Sequence, residues 1–252
     1  MKRNVNTLIK YLFLIVAAFV SIFPFYWMIA GATNTSNQIA AGKLTLGNQL
    51  ITNLQQLFSN YNVSLIMWNS IKISVITVLF SLLITSLAAF GFEKFRTRSS
   101  EMIYSLFLLC MMIPLAALVI PLFKMMSGLH LVNQHIAVIL PLVNNLFLIF
   151  FFRQNFKSFP DGILDASRIE GASEYTIFFR IVFPMMRSTY AAAAIYAFMN
   201  SWNSYLLPLI FLQTEDRQTM TLLISNLSSA SYVANYGVQM TAIVIATIPT
   251  LV

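Results

Sequence analysis

Charge is what this chain has least of. Of its 252 residues only 9% are Asp, Glu, Lys or Arg, 58% are hydrophobic, and the mean hydropathy is +0.77. A soluble domain carries roughly 25% charged residues. So little charge cannot keep a folded surface of this size in water, which excludes an ordinary soluble enzyme; most of the surface must face lipid or other apolar partners. One cysteine, Cys110, leaves no disulfide within the chain. Only 8 glycines, beside 22 phenylalanines, exclude collagen-like repeats and disorder. A G-x4-G-K-[S/T] loop to cradle phosphates is missing, so the chain is not itself an ATPase and needs no cofactor of its own. His130 and His135 have no carboxylate or cysteine nearby, too few ligands for a metal. All 8 Asp and Glu lie outside the apolar runs or at their ends. That deprives a membrane-embedded enzyme of acid–base pairs and an ion-driven secondary transporter of ionisable groups within its spans.

What the chain does have is long apolar runs. About 20 apolar residues in a helix cross a hydrocarbon core of about 30 Å. Charge-free runs cover 11–31, 73–92, 102–123, 136–152, 188–214 and 237–252. They predict an all-α membrane protein, one transmembrane domain over 1–252, with six spans at about 11–31, 70–92, 102–123, 136–152, 188–212 and 237–252. The last run reaches the final residue, so that span is expected to continue past Val252. Lys2, Arg3 and Lys10 ahead of an apolar run could open a signal peptide. The run's length, Pro24, Trp27 and the want of a small-residue cleavage pattern favour a retained helix.

The basic residues assign the two sides. With a cytoplasmic N-terminus, inner segments hold Lys2, Arg3 and Lys10, then Lys94, Arg96 and Arg98, then Arg153, Lys157, Arg168, Arg180 and Arg187. Lys43, Lys72, Lys124 and Arg217 fall outside. This asymmetry follows the positive-inside rule. The net charge of +7 is therefore topological rather than a nucleic-acid footprint, and it predicts a multi-pass protein of a bacterial-type cytoplasmic membrane. Lys72, beside Trp68 and Asn69, reads as a side chain snorkelling to the outer interface. Outer segments 32–69 and 215–236 read as polar loops. The second carries Ser225, Asn226, Tyr232, Asn235 and Tyr236, a composition suited to an adaptable contact surface or to a solvated connector.

The inner segment 153–187 is too structured for a plain connector, and its part 158–184 reads as two short helices. Ser158 with Asp161 resembles a capping box, and Pro160 fits a first turn. Ile163, Leu164, Ala166 and Ile169 then alternate with Asp165, Arg168 and Glu170. Gly171 supplies a stop or bend, and Ser173 with Glu174 can open a second helix bearing Tyr175, Ile177, Phe178, Ile181 and Val182. A helix lying on lipid favours Lys and Arg on its polar face. The mixed charge here points to a protein partner instead.

The run Asp165-Ala166-Ser167, three residues, Gly171, nine residues, Ile181-Val182-Phe183-Pro184 resembles the EAA motif, EAA-x3-G-x9-I-x-L-P, of importer permeases in the ATP-binding cassette superfamily. The spacing agrees throughout; Asp165 stands for Glu, Ser167 for the second Ala and Phe183 for Leu. Met112-Ile113-Pro114, Pro121-Leu122, Leu140-Pro141, Phe152-Arg153-Gln154, Ser201-Trp202-Asn203 and Pro208-Leu209 are similar to the carbohydrate-import branch, in particular its maltose-type second permease subunit. The likeness extends over about 23–252. It implies a coupling helix between the fourth and fifth spans, seated in a separate ATPase subunit, with Asp165, Ala166, Ser167, Glu170, Gly171, Ala172, Tyr175, Ile181 and Pro184 as coupling residues. It also implies a second, non-identical permease subunit, two ATPase subunits that bind the ATP, an extracytoplasmic solute-binding protein and a carbohydrate cargo. Amino-acid, peptide and phosphate importers share the motif, so another solute is the alternative.

Polar residues inside spans are the candidates for a substrate path. Asn200, Trp202, Asn203 and Tyr205 offer the amides and aromatic faces that bind sugars, with Pro208 breaking the helix one turn beyond; Asn144 is a further candidate. The same residues suit helix-to-helix hydrogen bonding. Tyr232 and Tyr236 are the candidate contact for the binding protein.

Overall fold

The computed structural model describes residues 2–229 and 235–251, and among them every regular element is helical. Helix α1 (Lys2–Ala32) takes in the first expected span, with its large apolar side chains exposed from Tyr11 to Tyr26. Such a face needs lipid or another chain to cover it. The segment expected as an outer loop contains α2 (Ser36–Ala40), closed at its start by a Thr35–Gln38 capping box, and α3 (Leu50–Asn60). Helix α4 (Val63–Lys94) follows and runs for 32 residues.

The stretch expected as one span over 102–123 is an elbow. Helices α5 (Arg98–Cys110) and α6 (Leu115–Gly128) meet at 105°. Pro114 explains the break: it has no N–H for the Cys110 carbonyl, and its ring disfavours helical geometry at Ile113. Cys110 ends α5 at this elbow and is exposed. Helices α7 (His135–Val143) and α8 (Leu146–Phe156) share the next apolar run, interrupted at Asn144.

The segment expected on the inner side folds as α9 (Asp161–Ile169), α10 (Glu174–Ile177), a π turn (Phe178–Val182) and α11 (Phe183–Met185). Helices α12 (Arg187–Trp202) and α13 (Leu206–Phe211) come next. Their break lies one turn ahead of Pro208 rather than at it, because a proline ring meets the carbonyl four residues earlier, here that of Ser204. After a 3-10 turn (Glu215–Arg217) comes α14 (Met220–Ser229), again where a loop was expected. Met220, Leu223 and Leu227 recur at helical spacing and are buried, which gives that segment an inward face. Helix α15 (Tyr236–Leu251) closes the described chain. Among the described residues, Ile9–Ala32, Val63–Lys94 and His135–Phe156 are each long and apolar enough to cross a membrane, and the elbow pair makes a fourth if counted as one span.

Contacts gather into two compact units, residues 68–219 and, from the chain's ends, residues 1–67 with 220–252. In the middle unit, Phe90 meets Phe156 edge-on at 5.8 Å and Phe178 at 5.4 Å, while Phe152 lies 4.8 Å from Tyr190. This aromatic core joins the last turns of α4 and α8 to the π turn and α12. A second cluster, with Ile73, Val138, Leu142, Leu207 and Phe211, packs α4, α7 and α13. Thus α8 lies on α12 and α7 on α13, half against half. In the other unit, α15 packs on α1 and α3. A Cβ on Gly237 would fall 2.7 Å from Asn53 Nδ2 and 2.8 Å from the Asn34 carbonyl oxygen, so only glycine fits there. Asn53 Nδ2 donates to the Ala32 carbonyl at 2.8 Å, which fixes that crowded point.

Candidate coupling site

Helix α9 does not start on the expected capping box. Pro160 holds the cap position with no side-chain hydrogen bond, and Ser158 Oγ instead donates to the Asn155 carbonyl at 2.7 Å, inside the preceding turn. The first turn of α9 gains its anchor from elsewhere: Lys94 Nζ donates to Asp161 Oδ1 at 2.7 Å. That bond, with the Lys94 charge, holds the Asp161 carboxyl below its usual range, so it is ionised at neutral pH. Lys94 is nearly buried, with its Nζ 6.0 Å from the centre of the Phe159 ring.

Leu164 and Ser167 turn inward from α9, and Ser167 Oγ donates to the Ile163 carbonyl at 2.7 Å. The opposite side presents Asp165, Ala166, Ile169 and Glu170 to the exterior. Gly171 has φ +82, the left-handed conformation that glycine adopts without penalty and that reverses a chain at a helix end. Its N–H bonds the Arg168 carbonyl at 3.0 Å, and that of Ala172 bonds Ser167 at 3.0 Å. Past the bend, Ser173 caps α10 by accepting from the Thr176 N–H. Tyr175 is exposed, Ile181 is half-buried against the aromatic core, and Pro184 is exposed in α11.

Arg168 ties the two helices across the bend. Its Nε donates to Glu174 Oε1 at 2.7 Å, Nη2 to Glu174 Oε2 at 3.3 Å and Nη1 to Asp165 Oδ1 at 3.1 Å. A guanidinium fork on one carboxylate fixes orientation as well as distance. The nine coupling residues named from the motif therefore divide. Asp165, Ala166, Glu170, Gly171, Tyr175 and Pro184 are exposed, whereas Ser167, Ala172 and Ile181 face inward or are half-buried. Ile169, 88% exposed, and Tyr175, 75% exposed, stand out as bare apolar groups beside this charge.

Next to the start of α9 lies a charge cluster that the motif does not contain. Arg153, at the end of α8, is 4% exposed, and its Nε donates to Glu93 Oε2 at 3.1 Å. Its Nη2 donates to Glu101 on α5, and Arg96 also reaches Glu93. The guanidinium carbon sits 3.9 Å from the centre of the Tyr104 ring. Neighbouring Lys94 links the same end of α4 to α9, so the ends of α4, α5 and α8 are bound by charge next to the exposed element.

The candidate path residues sit at helix breaks. Asn144 is exposed between α7 and α8, while Asn145 caps α8 by accepting from the Leu148 N–H at 3.2 Å. Asn203 ends α12, and Asn200, Asn203 and Tyr205 are exposed. Trp202 is not: it is 5% exposed and lines a small internal void with Ser70, Ser74 and Val138. Buried hydroxyls also recur along α4, at Ser70, Ser74, Thr77, Ser81 and Thr85, a stripe that lets helices approach closely. Tyr236 is exposed at the start of α15, and Tyr232 lies outside the described residues.

The profile described as binding-protein-dependent transport system inner membrane component matches residues 81–252. The chain is 47% identical over 251 residues, covering 100% of it and 92% of its relative, to the lactose transport system permease protein LacG of Rhizobium radiobacter. It is 31% identical over 249 residues, 96% of it and 87% of the relative, to the arabinooligosaccharides transport system permease protein AraQ of Bacillus subtilis. It superposes with TM-score 0.87 at 18% identity, covering 100% of it and 94% of the other chain, on a bacterial ABC transporter involved in import of the acidic polysaccharide alginate. That last likeness concerns the fold.

Proposed function

This chain belongs to the family of inner membrane components of binding-protein-dependent transport systems, and on that premise we propose that it is the permease subunit of an ATP-driven importer for a sugar or oligosaccharide. A binding protein delivers the sugar, separate ATPase subunits supply the energy, and a second, non-identical permease forms the other half of the pathway. The N-terminus is cytoplasmic, which puts 153–187 on the side of the ATPases. The observation that carries the reading is the exposed α9–Gly171–α10 element, bridged across its bend by Arg168 and joined through Lys94 to the charge cluster at the helix ends. A rigid element can pass on a push. ATP binding shifts the helical bundle only through contacts that differ between its two states, and a lever seated in the ATPase supplies that difference.

Sealed vesicles carrying the assembled complex test this. Uptake of labelled lactose or an arabinose oligosaccharide should require ATP on the ATPase side and the binding protein on the other. Uptake driven by a proton or sodium gradient without ATP would overturn the proposal.

Asn200, Asn203, Tyr205 and Asn144 are assigned to the sugar path, and buried Trp202 to shaping it. Losing one amide or aromatic contact to a sugar costs about 1–2 kcal/mol, roughly 5- to 30-fold in half-saturation. Tyr205→Ala and Asn203→Ala should each raise the sugar concentration for half-maximal uptake by that factor while ATPase association is unchanged. An unaltered value in both variants would return these residues to a packing role.

Tyr236 is assigned to the binding-protein contact. Removing a single aromatic anchor is expected to weaken that protein's stimulation of ATP hydrolysis roughly ten-fold. Titrating the binding protein against the Tyr236→Ala complex checks this, and identical curves would withdraw the assignment.

A further inference from the structure

A groove of about 440 Å³ opens in the middle unit between α4, the π turn and α12. Leu79, Leu82 and Leu83 form one wall, and Phe179 and Phe183 the other. Leu79 is 63% exposed, and Phe179 and Phe183 are each 47% exposed, so large apolar groups face outward here. From Leu79 to Ser86 the groove follows about 10 Å of helix, the elongated shape that suits a hydrocarbon chain.

Among the described residues lining it, Arg187 alone is charged. Arg187 is exposed and takes part in no ion pair among the described residues. It is also the first residue of α12, whose first turn holds no acid. The helix dipole opposes a cation at that end. An anion beside it would be favoured by the guanidinium.

We propose that this groove binds one acyl chain of an anionic phospholipid, with Arg187 holding the phosphate. The inference rests on the cytoplasmic placement of Arg187 proposed above, since the inner leaflet carries the anionic lipid. Charge complementarity selects such a lipid over a zwitterionic one, and the small side chains of Ala191 and Ala194 leave room for the chain.

The test uses the whole complex purified from membranes that contain phosphatidylglycerol. Native mass spectrometry counts retained phosphatidylglycerol in wild type, Arg187→Gln and Ala191→Phe. One arginine near an anionic surface contributes about 1 kcal/mol, so Arg187→Gln should retain roughly five-fold less. Ala191→Phe, which fills the groove at an exposed position, should lower retention with Arg187 intact. A photo-crosslinking residue at Phe179 should yield a lipid adduct. Equal retention in all three proteins would overturn the proposal, as would an adduct with the second permease or any other protein subunit. The readout needs neither sugar nor ATP, so a failure of transport would leave it standing.

Discussion

Arg153→Met is expected to destabilise the middle unit by about 2–3 kcal/mol, on the order of 5–10 °C in Tm, because it leaves Glu93 Oε2 buried without its partner and only the half-exposed Arg96 still reaching that carboxylate. Both side chains of this pair are nearly buried, at 5% and 3% exposure, so water cannot take over. The half-exposed Glu101 adds little beside that, since water reaches its carboxylate and screens the pair. Arg153→Lys should cost less, since an ammonium can still neutralise Glu93 although it cannot bond Glu93 and Glu101 at once. Pairing Arg153→Met with Glu93→Gln should recover most of the lost stability, because replacing both members of a buried pair removes the orphaned charge. Thermal unfolding of the three variants in detergent measures this. A single variant as stable as wild type would mean that the cluster is solvated and not structural.

The second large effect concerns grip rather than folding. Deleting 171–177 is the direct way to remove the bend, but it also takes out Ile177, fully buried in the aromatic core, and would confuse unfolding with uncoupling. Ile169→Asp with Tyr175→Ala avoids this, since both side chains are largely exposed. Apolar anchors at the centre of an interface contribute about 2 kcal/mol or more each, roughly 30-fold per residue in affinity. The doubly substituted permease should therefore reach the membrane in normal amounts and lose its ATPase during purification, with sugar uptake abolished. Full retention of the ATPase would move the contact elsewhere on the chain.

The parts of this arrangement that read directly from sequence are those set by local chemistry. Gly171 lies at the bend because the spacing of apolar and charged residues ends at it, and only glycine takes that backbone at no cost. Ser173 caps α10 by the same local logic. The charge cluster was hidden because its partners are distant along the chain: Glu93 and Arg153 are 60 positions apart, and Lys94 and Asp161 are 67. Counting Lys94, Arg96 and Arg153 toward an expected inner face does not say what they hold. One signal was present all along. In a chain with 8 acids, Glu93 and Glu101 flank the basic group Lys94, Arg96 and Arg98, and both of them bond Arg153.

Helix breaks were harder to read, since proline alone does not mark them. Pro24, Pro121, Pro141 and Pro249 sit inside continuous helices. Pro114 coincides with a sharp elbow, and Pro208 with a break one turn earlier. The helices within the segments expected as outer loops were illegible for a different reason. Their polar residues masked a sparse apolar set, such as Met220, Leu223 and Leu227, which becomes one face only once wound into a helix.

The lone thiol has a practical corollary. Cys110 is exposed and sits at the corner where two helices diverge by 105°. Spectroscopists usually strip native sulfhydryls before introducing a label; here the native residue already occupies an informative joint. A nitroxide or maleimide dye attached to it would report, through one resonance or one emission band, whether that corner opens and closes during each turnover.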